Sequence, residues 1–260
     1  QVSANRQVSS VMVGRDRELA KVELQVMKAV NGEGSVVNVI GEAGIGKSRL
    51  IAELKQRDVM KRVALLEGRA VSIGRNLSFH PIIYLIKQWA EIAEDDAEGG
   101  AFHKLERAIR RVHPQEVDEI LPFLATLMGM KLTGRHAQRV EGIEGEALEK
   151  LILKNMRDLL IQAAELQPTI ILMEDLHWAD RSSLEILDSL YPIADKHPLV
   201  FINVFRPGYL EAEATDLNFI GQRSPYNIEI DIKPLEKGDS ETLIRNMLDI
   251  KGMPHSVSEK

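Results

Sequence analysis

The sequence predicts an α/β fold: a mostly parallel β-sheet held between layers of helices. Three observations lead there. Residues 36–40 and 199–205 are mostly apolar runs and 169–173 is a continuous one, the pattern of strands buried on both faces of a parallel sheet. Amphipathic stretches with helical spacing lie between such runs, so strands and helices alternate. The first run passes straight into a glycine-rich loop, residues 41–48, and then into a helical pattern with Leu50, Ile51 and Leu54 on one face.

The bulk composition sets limits. The chain has 260 residues and is 44% apolar, enough for one large α/β domain with a small appendage. A formal net charge of -6 argues against nucleic acid or an anionic membrane covering the whole surface. There is no cysteine, which excludes disulfides, thiolate metal sites and cysteine nucleophiles. No apolar run approaches the roughly 18 residues that span a bilayer, and no signal peptide opens the chain. A cytoplasmic location is expected. The chain lacks an initiator methionine, so a segment of a longer protein is expected.

Residues 1–10 are polar and read as a flexible lead-in. Asp16 is a candidate N-cap for a helix with Leu19, Val22, Val26 and Val30 on one stripe. A flexible connection, residues 32–35, leads to the first strand. Residues 62–68 read as a second strand, closed by a turn over 68–72. A helical insertion is then expected over about 78–167. Pro81 suits a first helical position, with Ile82, Ile83, Leu85, Ile86 and Trp89 behind it. Residues 94–100 form an acidic, glycine-ended break. Phe102, Leu105, Ile109 and Val112 mark another helix, stopped before Pro114. Residues 120–130 are strongly apolar and expected to be buried, whereas 133–145 read as a mobile loop. Leu148, Leu151, Ile152, Met156, Leu159, Leu160 and Ala163 keep helical spacing. After the run at 169–173, Ser182 and Glu185 form a capping-box pattern for a helix carrying Leu184, Leu187 and Leu190. Residues 227–232 alternate as a strand, and Asp239 or Ser240 is expected to cap a last helix with Leu243, Met247 and Ile250.

The loop reads Gly41-Glu42-Ala43-Gly44-Ile45-Gly46-Lys47-Ser48. It matches the phosphate-binding pattern in the strand–loop–helix setting that its chemistry needs. Glycines let the backbone wrap a phosphate, and the helix start adds partial positive charge. Lys47 then reaches the β- and γ-phosphates, and the Ser48 hydroxyl is a ligand for Mg²⁺. A bare turn would not account for Lys-Ser after the last glycine.

Ligands of open α/β sheets sit at the carboxyl ends of the strands. Glu174 and Asp175 follow the apolar run at 169–173, and Arg206 follows the one at 199–205. Loop, acidic pair and arginine are therefore expected to converge. One carboxylate of such a pair serves the metal and the other polarises a water for attack on the γ-phosphate. The first position is the usual metal side, which is Glu174 here where Asp would be expected; the two roles stay open. Arg206 is placed to sense the γ-phosphate charge. His177 beside the pair has a packing role at least as readily as a proton-relay role, and Trp178 reads as a packing anchor. His80 and His103 lack partners at zinc-ligand spacing.

Together these residues carry a resemblance. Val13-Gly14-Arg15-x-x-Glu18-Leu19, the loop at 41–48, the stretch from Ile170 to Asp180 and Val204-Phe205-Arg206-Pro207 resemble the signal-transduction ATPases with numerous domains. The nearest likeness is to the AAA ATPase modules of bacterial cyclase-linked regulators, large transcriptional activators and some kinase fusions. The resemblance covers about residues 11–250. It implies a P-loop NTPase three-layer sandwich over 11–232, with the insertion after the second strand, and a partial helical lid over 233–260. It implies that Val13, Gly14 and Arg15 lie against adenine. Gly41, Glu42, Ala43, Gly44, Ile45, Gly46, Lys47, Ser48 and Arg49 would bind the ATP or ADP phosphates. Ser48, Glu174 and Asp175 would attend Mg²⁺. Lys47, Glu174, Asp175 and Arg206 would be the catalytic set. Gly68-Arg69 resembles a turn after the second strand of these modules. Gly252-Met253-Pro254 has the letters of the family's later Gly-x-Pro motif but comes too early to be it.

The leading expectation is an ATP·Mg²⁺-binding, weakly hydrolysing switch for fused effector or sensor domains, with room for nucleotide-dependent self-association. The alternatives are a AAA+ motor or DNA-replication loader, and a nucleotide-binding scaffold without turnover. A trans-acting arginine, a basic DNA-facing patch and ATP-driven rings would mark the motor. No membrane and no direct nucleic-acid contact are expected of this segment.

Overall fold

In the computed structural model, residues 12–72, 78–208 and 226–248 are described, the side chains of Met247 and Leu248 excepted. Fourteen regular elements cover them: α1 (Asp16–Val30), β1 (Ser35–Ile40), α2 (Lys47–Lys55), β2 (Ala64–Arg69), α3 (His80–Trp89), α4 (Glu98–Val112), α5 (Val117–Leu127), α6 (Gly134–Val140), α7 (Gly145–Leu166), β3 (Thr169–Glu174), α8 (Arg181–Leu190), β4 (Leu199–Phe205), β5 (Asn227–Asp231) and α9 (Lys237–Leu248). The lead-in at residues 1–10, Ile250 and Gly252-Met253-Pro254 lie outside the described residues.

The strands form one sheet in the order β2-β3-β4-β1-β5. All four pairings are parallel, with Val37 beside Ile202 and Ile228, and Ile171 beside Leu66 and Phe201. Parallel strands need crossovers, and the helices supply them. Because successive residues point to opposite faces, each strand feeds two cores. Val37, Val39, Ile170, Leu172, Val200 and Ile202 pack with Leu19, Val22 and Val26 of α1 and Leu50, Ile51 and Leu54 of α2. Val36, Ile171, Met173, Phe201 and Phe205 pack on the other side with α3, α4, α5, α7 and α8. Phe123 and Leu105 are fully buried there, at 0% exposure. Burying a side chain of this size stabilises the fold by about 1.5–3 kcal/mol.

A polar ladder crosses the second face. Asn203 Nδ2 donates to Asn38 Oδ1 at 3.0 Å, Asn38 Nδ2 to Asn227 Oδ1 at 3.0 Å, and the Tyr191 hydroxyl to Asn203 Oδ1 at 3.1 Å. Asn38 and Asn203 are wholly buried, so these bonds replace lost water. Burial pushes the Tyr191 hydroxyl far above its ordinary pKa.

Several local expectations change. Arg15, not Asp16, occupies the cap position of α1. The strand expected over 62–68 starts at Ala64, because 58–62 close into a 3₁₀ turn. The break expected through residue 100 ends earlier: α4 starts at Glu98 and runs through both glycines. The stretch 133–145, expected to be a mobile loop, contains α6. Asp180 rather than Ser182 caps α8, accepting from the Ser183 amide at 3.0 Å and hydroxyl at 2.6 Å, while Glu185 pairs with Arg181. The last helix begins at Lys237, two residues before the expected cap Asp239.

Candidate nucleotide site

β1 ends at Ile40 and hands the chain to the loop at the carboxyl edge of the sheet. Gly46, at φ +108°, turns the loop into α2 with a left-handed backbone that a side chain would strain. The turn starts α2 at Lys47, so the helix N-terminus faces the loop. Lys47 is 8% exposed, and its Nζ donates to the carbonyls of Gly41 at 2.6 Å and Glu42 at 2.9 Å. Its pKa is lowered, first by burial and then by the charge of Arg206, with Asp175 and Glu42 pulling the other way. Ser48 is exposed beside it. Arg49 pairs with Glu53 one turn on, at 3.1 Å.

The strand-end residues do converge. Lys47 lies in the field of both Arg206 and Asp175. The sheet order explains why: β4 lies next to β1, and β3 next to β4. The two adjacent carboxylates share Arg69 but differ in their second cation, Lys55 for Glu174 and Lys47 for Asp175. Glu174 closes β3, and burial raises its pKa against the opposing charges of Lys55 and Arg69. Asp175, in the left-handed region at φ +56°, accepts from Arg69 Nε at 3.3 Å and Nη2 at 3.2 Å. His177 and Trp178 stack at 5.1 Å between ring centres, and Trp178 packs against the larger core.

On the other side of the loop, Arg15 is 7% exposed. Its guanidinium donates to the carbonyls of Lys233 at 2.6 Å and Ile45 at 3.3 Å, and to Glu18 at 3.2 Å. One side chain thus joins the N-terminal segment, the phosphate loop and the segment that leads into α9. Gly14 is needed for close approach: a Cβ there would fall within 2.7 Å of the Asp239 carboxyl carbon and 3.0 Å of Leu235. Val13 is half-buried next to it.

Sequence reasoning missed two parts. Arg69 was read only as part of a turn, although it too ends a strand at the carboxyl edge; the rule that located Arg206 would have found it. Lys233 and Asp239 carry no motif of their own. Their contacts with Arg15 and Gly14 span more than two hundred positions.

The residues fit a bound nucleotide on this structure's own terms: a buried lysine turned onto its loop's carbonyls, an exposed serine at the helix start, and a carboxylate whose charge reaches that lysine. Among the described residues no group of three or more His, Cys, Asp or Glu is placed to cage a metal. That suits Mg²⁺, which takes one or two protein oxygens and completes its shell with phosphates and water.

Known proteins agree. The AAA ATPase domain family matches residues 11–202. An uncharacterized protein of Rhizobium meliloti (strain 1021) is 24% identical over 200 residues, covering 76% of this chain and 19% of its own. The ORC1 protein of Aeropyrum pernix, solved in complex with DNA, superposes with a TM-score of 0.52 at 14% identity, over 95% of this chain and 52% of that one. A signal transduction ATPase with numerous domains from Pyrococcus horikoshii, with a tetratricopeptide repeat sensor, gives 0.43 at 17% identity, over 96% of this chain and 27% of that one. The chain therefore spans about a fifth of its curated relative and half of the ORC1 chain. No helix among the described residues is long and apolar enough to cross a membrane. With the phosphate loop, the parallel sheet and most of its length matched, the chain belongs to the AAA ATPase domain family.

Proposed function

We propose that this chain is an ATP·Mg²⁺-dependent switch of the signal-transduction type, which hydrolyses ATP slowly and passes its nucleotide state to fused domains in the cytoplasm. The observation that carries this reading is the Arg15 guanidinium, shared between Ile45 of the phosphate loop and Lys233 at the start of the lid. A γ-phosphate shifts a conformational equilibrium only through contacts that differ between states. Arg15 supports such a link, because any rearrangement of the loop is felt at Lys233.

Lys47 exchanges its two carbonyl partners for phosphate oxygens, and Arg206 meets the γ-phosphate from β4. Ser48 donates a hydroxyl oxygen to the metal. Mg²⁺ held there would supply charge neutralisation at the phosphates. Asp175 is the working carboxylate, since it rather than Glu174 lies in the field of Lys47. It orients the attacking water and takes its proton. Glu174 supports it from the side of Lys55 and Arg69. Val13 and Gly14 line the adenine side. The DNA of the ORC1 complex is not carried over, because the net charge here is -6.

The test is a titration with ATP and ADP, with and without Mg²⁺, on protein carrying fluorophores on α2 and α9. Both nucleotides should bind, and ATP and ADP should give different distances between the helices. Equal distances would remove the switch. Failure of Lys47→Ala to weaken ATP would remove the site.

A further inference from the structure

The end of β2 brings a third cation to this edge of the sheet. Arg69 lies opposite Glu174 in the parallel register, and its guanidinium reaches Asp175 through two nitrogens. Asp175 is in turn in the field of Lys47, whose other neighbouring cation is Arg206. Arg69 and Lys47 thus both act on the Asp175 carboxylate, and Arg206 acts on Lys47. We infer that Arg69 is an arginine acting within its own chain on the γ-phosphate, held by Asp175 until the nucleotide arrives. This inference rests on the nucleotide site proposed above and adds a catalytic residue to it.

The energetics favour the exchange. The side chains of Arg69 and Asp175 are 62% and 34% exposed. A pair so open to solvent is weak, so releasing it costs little. A guanidinium on phosphate oxygens makes parallel charge-assisted bonds, roughly twice as strong as neutral ones. Asp175 keeps a cation beside it in the same step, because it stays in the field of Lys47. In hydrolysis the water oxygen bonds to the γ-phosphorus while the bond from that phosphorus to the bridging oxygen breaks. ADP leaves with that electron pair. Asp175 takes the water's proton and passes it to the departing phosphate. Arg69 meets the charge that spreads over the γ-phosphate oxygens during this exchange. Being on the same chain, it needs no neighbouring subunit.

The experiment uses the whole chain and its Arg69→Ala and Arg69→Lys variants, with melting curves to confirm that each is folded. Binding of Mg·ADP is measured with and without aluminium fluoride, which mimics the γ-phosphate in transfer. The parent should bind Mg·ADP and tighten when fluoride is added. Arg69→Ala should bind Mg·ADP within about twofold of the parent yet lose at least about tenfold of the fluoride-dependent tightening. Arg69→Lys should recover part of it, having the charge but not the fork. The hydrolysis rate per chain should not depend on protein concentration. Equal tightening by parent and Arg69→Ala overturns the inference, as does absence of tightening in the parent. Faster hydrolysis by Arg69→Ala would make the pair purely inhibitory and overturn it as well. A rate per chain that rises with concentration would place the needed arginine on a neighbour. If the parent fails to bind Mg·ADP at all, the nucleotide site itself falls, a different result from any of these.

Discussion

The two faces of the sheet are built differently. Under α1 and α2 the buried core is aliphatic, formed by Val, Leu and Ile with one alanine. The loops at its edge carry Arg15, Lys47 and Ser48. On the face of the helical insertion, Phe123, Phe201, Phe205 and Tyr191 join a much larger cluster. None of the phosphate-facing residues packs there. The proposed nucleotide site thus borders the smaller core, while the larger share of buried side chains lies on the other face. A sharp loop beside a lid must be able to move, whereas a thick aromatic core resists it. The two properties should separate by mutation.

Phe123→Ala should give the largest effect. Removing a fully buried ring costs about 3–5 kcal/mol, read as a shift in urea unfolding. Nucleotide affinity of the folded fraction should be unchanged. A matching loss of affinity would break the division between faces. Lys47→Ala is the converse. ATP affinity should fall by about a hundredfold or more, measured with a fluorescent nucleotide. Stability should hold or rise, because burial already disfavours this ammonium.

Asp175→Asn and Glu174→Gln sharpen the comparison within the site. The first should slow ATP hydrolysis by about a hundredfold and the second by less than about tenfold. The reverse order would return the working role to Glu174. The smallest effect is one of pH. Burial raises Glu174 above its ordinary 4.5, so the folded chain holds this proton more tightly than the unfolded chain does. The resulting stabilisation is complete below about pH 4.5 and is lost as pH climbs through the folded value. Glu174→Gln should therefore be more stable than the parent at pH 7, with a margin that shrinks toward pH 4.5. Thermal melts across that range would show it, and a constant margin would contradict it.

The sequence was most readable where one force dominates. β3 and β4 stand within a residue of where their apolar runs place them, because a strand buried on both faces is apolar nearly throughout, with Asn203 the one polar break in the interior of β4. The phosphate loop was readable because it depends on local spacing. α6 was not: Gly134–Val140 is short, polar and has no buried residue, so no stripe announces it. The cap of α8 was misplaced because Asp180 and Ser182 both suit the position; Asp180 is buried and also takes the Phe79 amide, a contact 101 residues away. The Arg15–Lys233 and Arg69–Asp175 contacts were hidden for the same reason, since they exist only once the strand order is known.

The asparagine ladder has a mechanical consequence. Sliding β1 by the two residues needed to keep its side chains on the same faces would move the phosphate loop by about 6.6 Å and break both side-chain hydrogen bonds of the wholly buried Asn38 amide. Each orphaned group costs about 1–3 kcal/mol, more than a switch can spare. β4, β1 and β5 are thereby pinned at one height, and a piston stroke along the strands is closed to this module. If the chain works as the proposed switch, force from the nucleotide leaves as a rotation, with the segment between Asp231 and Lys237, where the pinned sheet gives way to α9, as its axle.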